Sequence, residues 1–120
     1  MNTMNTEILY QRMGITPTEL EAFCQKAQIV EFALFGSILR DDFRPDSDID
    51  ILVIFAPDCK IDLMGFVGLE YDLEDWLHRE VDLISKRAVE QDRNWIRRKE
   101  ILNNHQILYE SRLSQSVLSA

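Results

Sequence analysis

Six strictly apolar residues in a row, Ile51 to Ala56, follow a segment in which Asp48 and Asp50 stand two apart, and Pro57 closes the run. A strand apolar at nearly every position must bury both faces, which places it inside a sheet covered by helices. The run is far short of the roughly 20 residues that span a bilayer, so no membrane segment is expected. The 120 residues amount to one domain, expected over 1–120 with residues 1–6 and 111–120 as frayed tails.

Around this strand the punctuation is regular. A short helix is expected over Glu7 to Met13. Thr16-Pro17-Thr18-Glu19 reads as a capping box with proline at the first helical position, opening a helix that aligns Leu20, Phe23, Cys24 and Ala27. Ile29 to Phe35 reads as strand one, ended by Gly36, with a helical turn over Ser37 to Asp41. Strand two spans Asp48 to Phe55. Asp62 caps a long helix to about His78, with Leu63, Phe66, Val67, Leu73 and Leu77 facing the core. Strand three is Val81 to Ser85. A helix from about Arg87 to Asn103 and an apolar piece, Gln106 to Tyr109, follow. Strands alternating with helices predict an α/β (α+β) fold with a small central sheet.

Charge narrows the function. Twenty-one acids against thirteen Lys and Arg leave a net charge of −8, which argues against direct binding of long nucleic acid and suits small molecules, metals or a basic partner. Cys24 and Cys59 form no disulfide framework and no zinc spacing. The opening MNTMNTEILY has neither a basic nor an apolar leader region, so a cytoplasmic location is expected.

The chemistry lies in Gly36 to Asp50, GSILRDDFRPDSDID. On a strand, Asp48 and Asp50 leave the same face, and two carboxylates that close favour a shared cation. Mg²⁺, a hard ion that binds oxygen, fits; a solvated turn entering a strand is the plainer alternative. Asp82 is an acid within an apolar strand and becomes a third oxygen ligand if strand three lies beside strand two; otherwise it is an edge aspartate facing water. Gly36 and Ser37, where a strand gives way to a helical turn, can offer backbone amides and a hydroxyl to a phosphate. His78 and His105 read as structural or solvated. The basic stretch Arg93, Arg97, Arg98, Lys99 reads as a solvated helix face, with a triphosphate or partner contact as the alternative. Trp76 and Trp95 read as core or interface anchors.

Together, GS followed by Arg40, then DxD, then a third acid on the next strand resembles the nucleotidyltransferase superfamily that includes DNA polymerase β. The wording GSILR…RPDSDIDILV is similar to its minimal nucleotidyltransferases, the MNT or MntA-like antitoxins encoded with HEPN-domain toxins. The resemblance implies a small mixed sheet flanked by helices. It also implies that Gly36, Ser37 and Arg40 bind the nucleotide, Gly36 and Ser37 holding the β- and γ-phosphates of ATP. Asp48 and Asp50 would hold two Mg²⁺ ions, with Asp82 a metal ligand or base for the acceptor hydroxyl. Such proteins read Arg-Gly where this chain has Arg40-Asp41. Aspartate tolerates the left-handed backbone that glycine would adopt, at the cost of a negative charge beside the anion site.

The implied activity is transfer of AMP from ATP to a hydroxyl, a tyrosine of a cognate HEPN ribonuclease toxin, making this chain an antitoxin. Two other readings remain open: an antitoxin that acts by binding alone, and a small-molecule nucleotidyltransferase of the aminoglycoside-modifying kind.

Overall fold

Local signals set the helix ends of the computed structural model, which describes residues 4–111. Helix α1 (Thr6–Met13) starts where the Asn5 side chain accepts from the Glu7 amide, and stops at Gly14 in left-handed backbone. In α2 (Pro17–Ala27) the capping box forms in full: Thr16 accepts from the Glu19 amide at 3.1 Å and the Glu19 carboxylate accepts from the Thr16 amide at 2.9 Å. Strand β1 (Ile29–Phe35) is buried throughout and leads into a short 3₁₀ turn, Gly36–Leu39. Strand β2 spans Ile49–Phe55, one residue shorter than the sequence suggests, because Asp48 lies just outside the ladder. Asp62 caps α3 (Leu63–Leu77), its carboxylate accepting from the Gly65 amide at 2.7 Å. Strand β3 (Val81–Ser85), α4 (Lys86–Glu90), α5 (Trp95–Asn103) and β4 (His105–Glu110) complete the chain.

The four strands stand in the order β3-β2-β1-β4. Strand β1 is antiparallel to β2 and β4, whereas β2 and β3 are parallel, so α3 serves as the crossover that a parallel pair requires. The outcome is a mixed sheet flanked by helices. One face packs Phe32, Leu34, Ile49, Ile51 and Val53 against Leu9, Leu20, Cys24, Leu73 and Leu77 of α1 to α3. The other packs Ala33, Phe35 and Leu52 against Val89 of α4 and Ile101 of α5. Glu31, the one buried charged residue among those described, bonds Lys86 at 2.6 Å and so ties β1 to the first residue of α4. No helix among the described residues is long and apolar enough to cross a membrane.

Several expectations change. The helix expected over residues 87–103 is two helices, because Asp92 accepts from the Asn94 amide and Asn94 caps α5 by accepting from the Arg97 amide. Arg93 therefore lies outside α5 and shares no helix face with Arg97. The closing apolar piece is the edge strand β4. Leu63 and Val67 face solvent rather than the core: with Met64 and Tyr71 they form an exposed apolar stripe on α3, while Phe66 and Leu69 turn inward. Trp76 stacks on Phe23 with ring centroids 5.0 Å apart, and Trp95 is exposed. Of the segments expected to fray, Thr6 opens α1, and residues 1–3 and 112–120 lie outside the described residues.

Candidate active site

Register brings the sequence-predicted residues together. On β2, Asp50 lies opposite Phe35 of β1 on one side and Asp82 of β3 on the other. Residues paired across a ladder point to the same face, so both carboxylates rise on the α4–α5 side of the sheet. Gly36 directly follows Phe35 and has φ +79°, a left-handed conformation natural to glycine. A Cβ placed there would collide with Asp50 Oδ2 and stand 3.0 Å from its Cγ. The glycine thus admits a carboxylate against the backbone, a role separate from the approach of a phosphate.

Gly36, Ser37, Arg40, Asp48, Asp50 and Asp82 all line one open cleft of about 1180 Å³. Asp48 and Asp82 are exposed and Asp50 is half-buried. Asp82 is on the edge strand and reaches water, and strand three does lie beside strand two, so both features weighed for it are present and it stands next to Asp50. Burial first, then the charges of Asp82 and Asp48, push the Asp50 carboxyl up to about 6, with Arg40 pulling it down. Arg40 itself pairs with Asp42, Nε to Oδ1 at 3.1 Å. Asp41 does not adopt the left-handed conformation, so aspartate stands there without backbone strain.

The loop that delivers Asp48 is held by two arginines that the sequence did not single out. Arg79, just before β3, donates from Nη1 to the carbonyls of Arg44, Pro45 and Ser47 at 2.9, 3.0 and 2.9 Å. Arg12 of α1 donates from Nη1 to the carbonyls of Ile38 and Arg40, both at 2.7 Å. Both guanidinium groups lie over the Phe43 ring, at 4.4 and 5.2 Å from its centroid. Arg79 thereby couples the segment before Asp48 to the strand that carries Asp82.

On the opposite wall the sequence singled out only Arg97, with a triphosphate or partner contact as the alternative to a solvated face, and His105, read as structural or solvated. Arg97, Glu100, Ile101, Asn103 and Asn104 of α5 and its end line the cleft with His105 and Gln106 of β4. The Gln106 amide makes a reciprocal pair with the Met4 backbone at 3.0 and 2.8 Å, drawing the described start of the chain onto the rim. His105 donates from Nδ1 to the Leu102 carbonyl at 2.8 Å, so its expected structural part is joined by a place on the cleft wall. The polar string Asn103-Asn104-His105-Gln106, where an apolar helix face gives way to a strand, is the signal that could have marked this wall.

Among the described residues, no three His, Cys, Asp or Glu side chains are gathered closely enough to hold a metal ion by themselves. The donors are all oxygen, and Mg²⁺ usually completes its shell with waters and substrate phosphates rather than a full protein cage. Asp48, Asp50 and Asp82 therefore fit a metal shared with a phosphorylated ligand.

Comparisons with known proteins bear on the family and the fold. The protein adenylyltransferase MntA of Thermococcus cleftensis is 41% identical over 59 residues, 49% of this chain and 58% of that protein. The chain likewise spans 64% of the length of a relative from Methanocaldococcus jannaschii, 37% identical over 65 residues and 54% of this chain. A solved structure described as a minimal nucleotidyltransferase superposes with a TM-score of 0.59 at 28% identity, covering 86% of this chain and 95% of that one. Two more share the fold at 18% identity. A toxin–antitoxin complex with AMP-PNP has a TM-score of 0.62 and covers 88% of this chain and 86% of that one. A complex of a tri-AMPylated Shewanella oneidensis HEPN toxin with an MNT antitoxin has a TM-score of 0.55 and covers 86% and 81%. Residues 19–108 match the nucleotidyltransferase domain, and the chain belongs to that family.

Proposed function

We propose that this chain is a protein adenylyltransferase that acts as an antitoxin, moving AMP from ATP to a hydroxyl of a HEPN-domain toxin, a tyrosine by the resemblance above. The observation that carries the reading is the register Phe35–Asp50–Asp82, which gathers the glycine elbow and two acids at the mouth of one cleft. Relatives and neighbours named as an adenylyltransferase, as a complex with AMP-PNP and as a tri-AMPylated toxin with its antitoxin support the choice of nucleotide and partner. The net charge of −8 suits a basic partner. The chain acts as one minimal nucleotidyltransferase domain in this reading.

Asp48, Asp50 and Asp82 would hold Mg²⁺, two ions in this reading, which neutralises phosphate charge and lowers the pKa of an acceptor hydroxyl. The Gly36–Ser37 elbow and Arg40 orient the triphosphate so that its α-phosphorus faces the acceptor. Asp82, exposed at the sheet edge, meets the incoming hydroxyl and takes its proton. The acceptor oxygen bonds to the α-phosphorus, the bond to the β-phosphate oxygen breaks, and pyrophosphate departs.

The test incubates this chain with ATP, Mg²⁺ and the HEPN protein encoded beside it, followed by intact-mass analysis of that protein. Mass gains of whole AMP units are expected, and D48N/D50N abolishes them while leaving the chain folded. Binding of the pair with no mass gain would leave occlusion as the mode of action and refute transfer.

A further inference from the structure

The basic cluster around α5 has one member that differs from the rest. Of Arg93, Arg97, Arg98 and Lys99, only Arg97 lines the cleft. Arg98 is half-buried and donates from Nη1 to the Asp92 carbonyl at 2.8 Å. Arg97 stands one turn before Ile101, and Ile101 packs with Phe35 and Leu52 under the α5 layer. Residues four apart share a helix face and lean toward its N-terminus, so Arg97 extends the cleft-facing side of α5 past the apolar contact.

The charges around it are unusual. Five carboxylates, of Asp46, Asp48, Asp50, Asp82 and Glu100, line the same cleft. Among the described residues, the Arg97 guanidinium joins no ion pair and no side-chain hydrogen bond, whereas the other cleft arginine, Arg40, is paired with Asp42. An arginine left unpaired in an acid-lined cleft keeps its full donor fork for an incoming anion.

We infer that Arg97 is a phosphate contact for the triphosphate of the bound nucleotide, reaching it from the helix layer while the Gly36–Ser37 elbow holds it from the sheet. This inference rests on the nucleotidyltransferase reading above. Guanidinium binds two phosphate oxygens at once and remains charged at any working pH, so it offsets charge that the metal-binding acids cannot. In this reading a cleft with two arginines against five carboxylates takes a polyanion through cations on its walls, with Mg²⁺ on Asp48, Asp50 and Asp82.

Calorimetric titration with ATP, inorganic tripolyphosphate, AMP and adenosine, each with Mg²⁺, tests the assignment on wild type, R97A, R97K and R93A. R97A should weaken ATP and tripolyphosphate about tenfold and leave adenosine unchanged, as loss of a charge-assisted phosphate contact predicts. R97K should recover part of the loss, R93A should match wild type, and the KM for ATP should rise more than kcat falls. Unchanged tripolyphosphate binding in R97A overturns the inference, as does an equal loss of adenosine binding, which would mark a purely structural role. A wild-type chain that binds tripolyphosphate through Arg97 yet transfers no AMP would sustain the inference and refute the proposed activity. A wild-type chain that binds no tripolyphosphate overturns the inference as well.

Discussion

Burial behind the Gly36 turn, with Asp82 and Asp48 close by, leaves Asp50 a carboxyl raised to about 6. An unfolded aspartate titrates near 3.8, so between about pH 4 and 6 the folded chain keeps a proton that the unfolded chain releases. Stability in the absence of metal should therefore fall as pH rises through that window and level off above it. The carboxyl is only half-buried, so screening reduces the effect to on the order of 1 kcal/mol. Urea unfolding in EDTA at pH 4 and pH 7 should show this slope in wild type and lose it in D50N. Gly36 gives a second expectation: G36A should destabilise by about 1–3 kcal/mol, from a left-handed alanine and its collision with Asp50. It should also displace that carboxylate, so titration of the folded variant with Mg²⁺ in the presence of ATP should show weakened metal binding. The glycine was legible as an elbow because it ends a β-rich run. Its closeness to Asp50 was not, since that depends on the pairing of β1 with β2.

Elements were legible where a single segment holds both the signal and its answer. The capping box of α2, the Asp62 cap of α3 and the bounds of β3 all belong to that class. The break between α4 and α5 was missed because Asp92 and Asn94 compete for backbone amides inside a pattern that otherwise reads as one helix. Leu63 and Val67 were assigned inward from periodicity alone, which cannot tell which side of an apolar-rich helix the sheet will meet. Arg79 shows the same limit more sharply, since its three carbonyl partners lie 32 to 35 residues away in sequence. If the proposed activity holds, R79A should lower the rate of AMP transfer about tenfold with wild-type binding of adenosine, as displacement of the loop that carries Asp48 predicts. R79K should rescue it only in part, because one ammonium nitrogen can replace the contacts of Nη1 but loses the guanidinium plane over the Phe43 ring. Faster hydrogen exchange at the Ser47 amide in R79A would report the loosened loop; unchanged exchange would refute the link.

At the scale of the whole molecule, the sheet order was only partly legible. Strand two was read as central and lies between β3 and β1. Assigning β4 to the other edge needed the packing of the last apolar segment on β1. The six site residues were chosen from the sequence and gather in one cleft, but the cleft's second wall comes from α5 and β4, whose approach is set by layering rather than by any local motif. Charge acts at this scale too. Helix α3 carries Glu70, Asp72, Glu74 and Asp75 with no Lys or Arg, within a chain of net charge −8. Association with a basic toxin should therefore be electrostatically steered, and its rate constant should fall several-fold between about 50 and 500 mM salt in stopped-flow measurements.

The grip of Arg79 falls on main-chain oxygens, which every amino acid supplies alike. The identities at Arg44 and Pro45 are therefore free to drift with little penalty to the posture of Asp48, whereas Arg79 itself is not. That makes this short stretch a natural place to graft new sequences beside the cleft while Asp48 keeps its place.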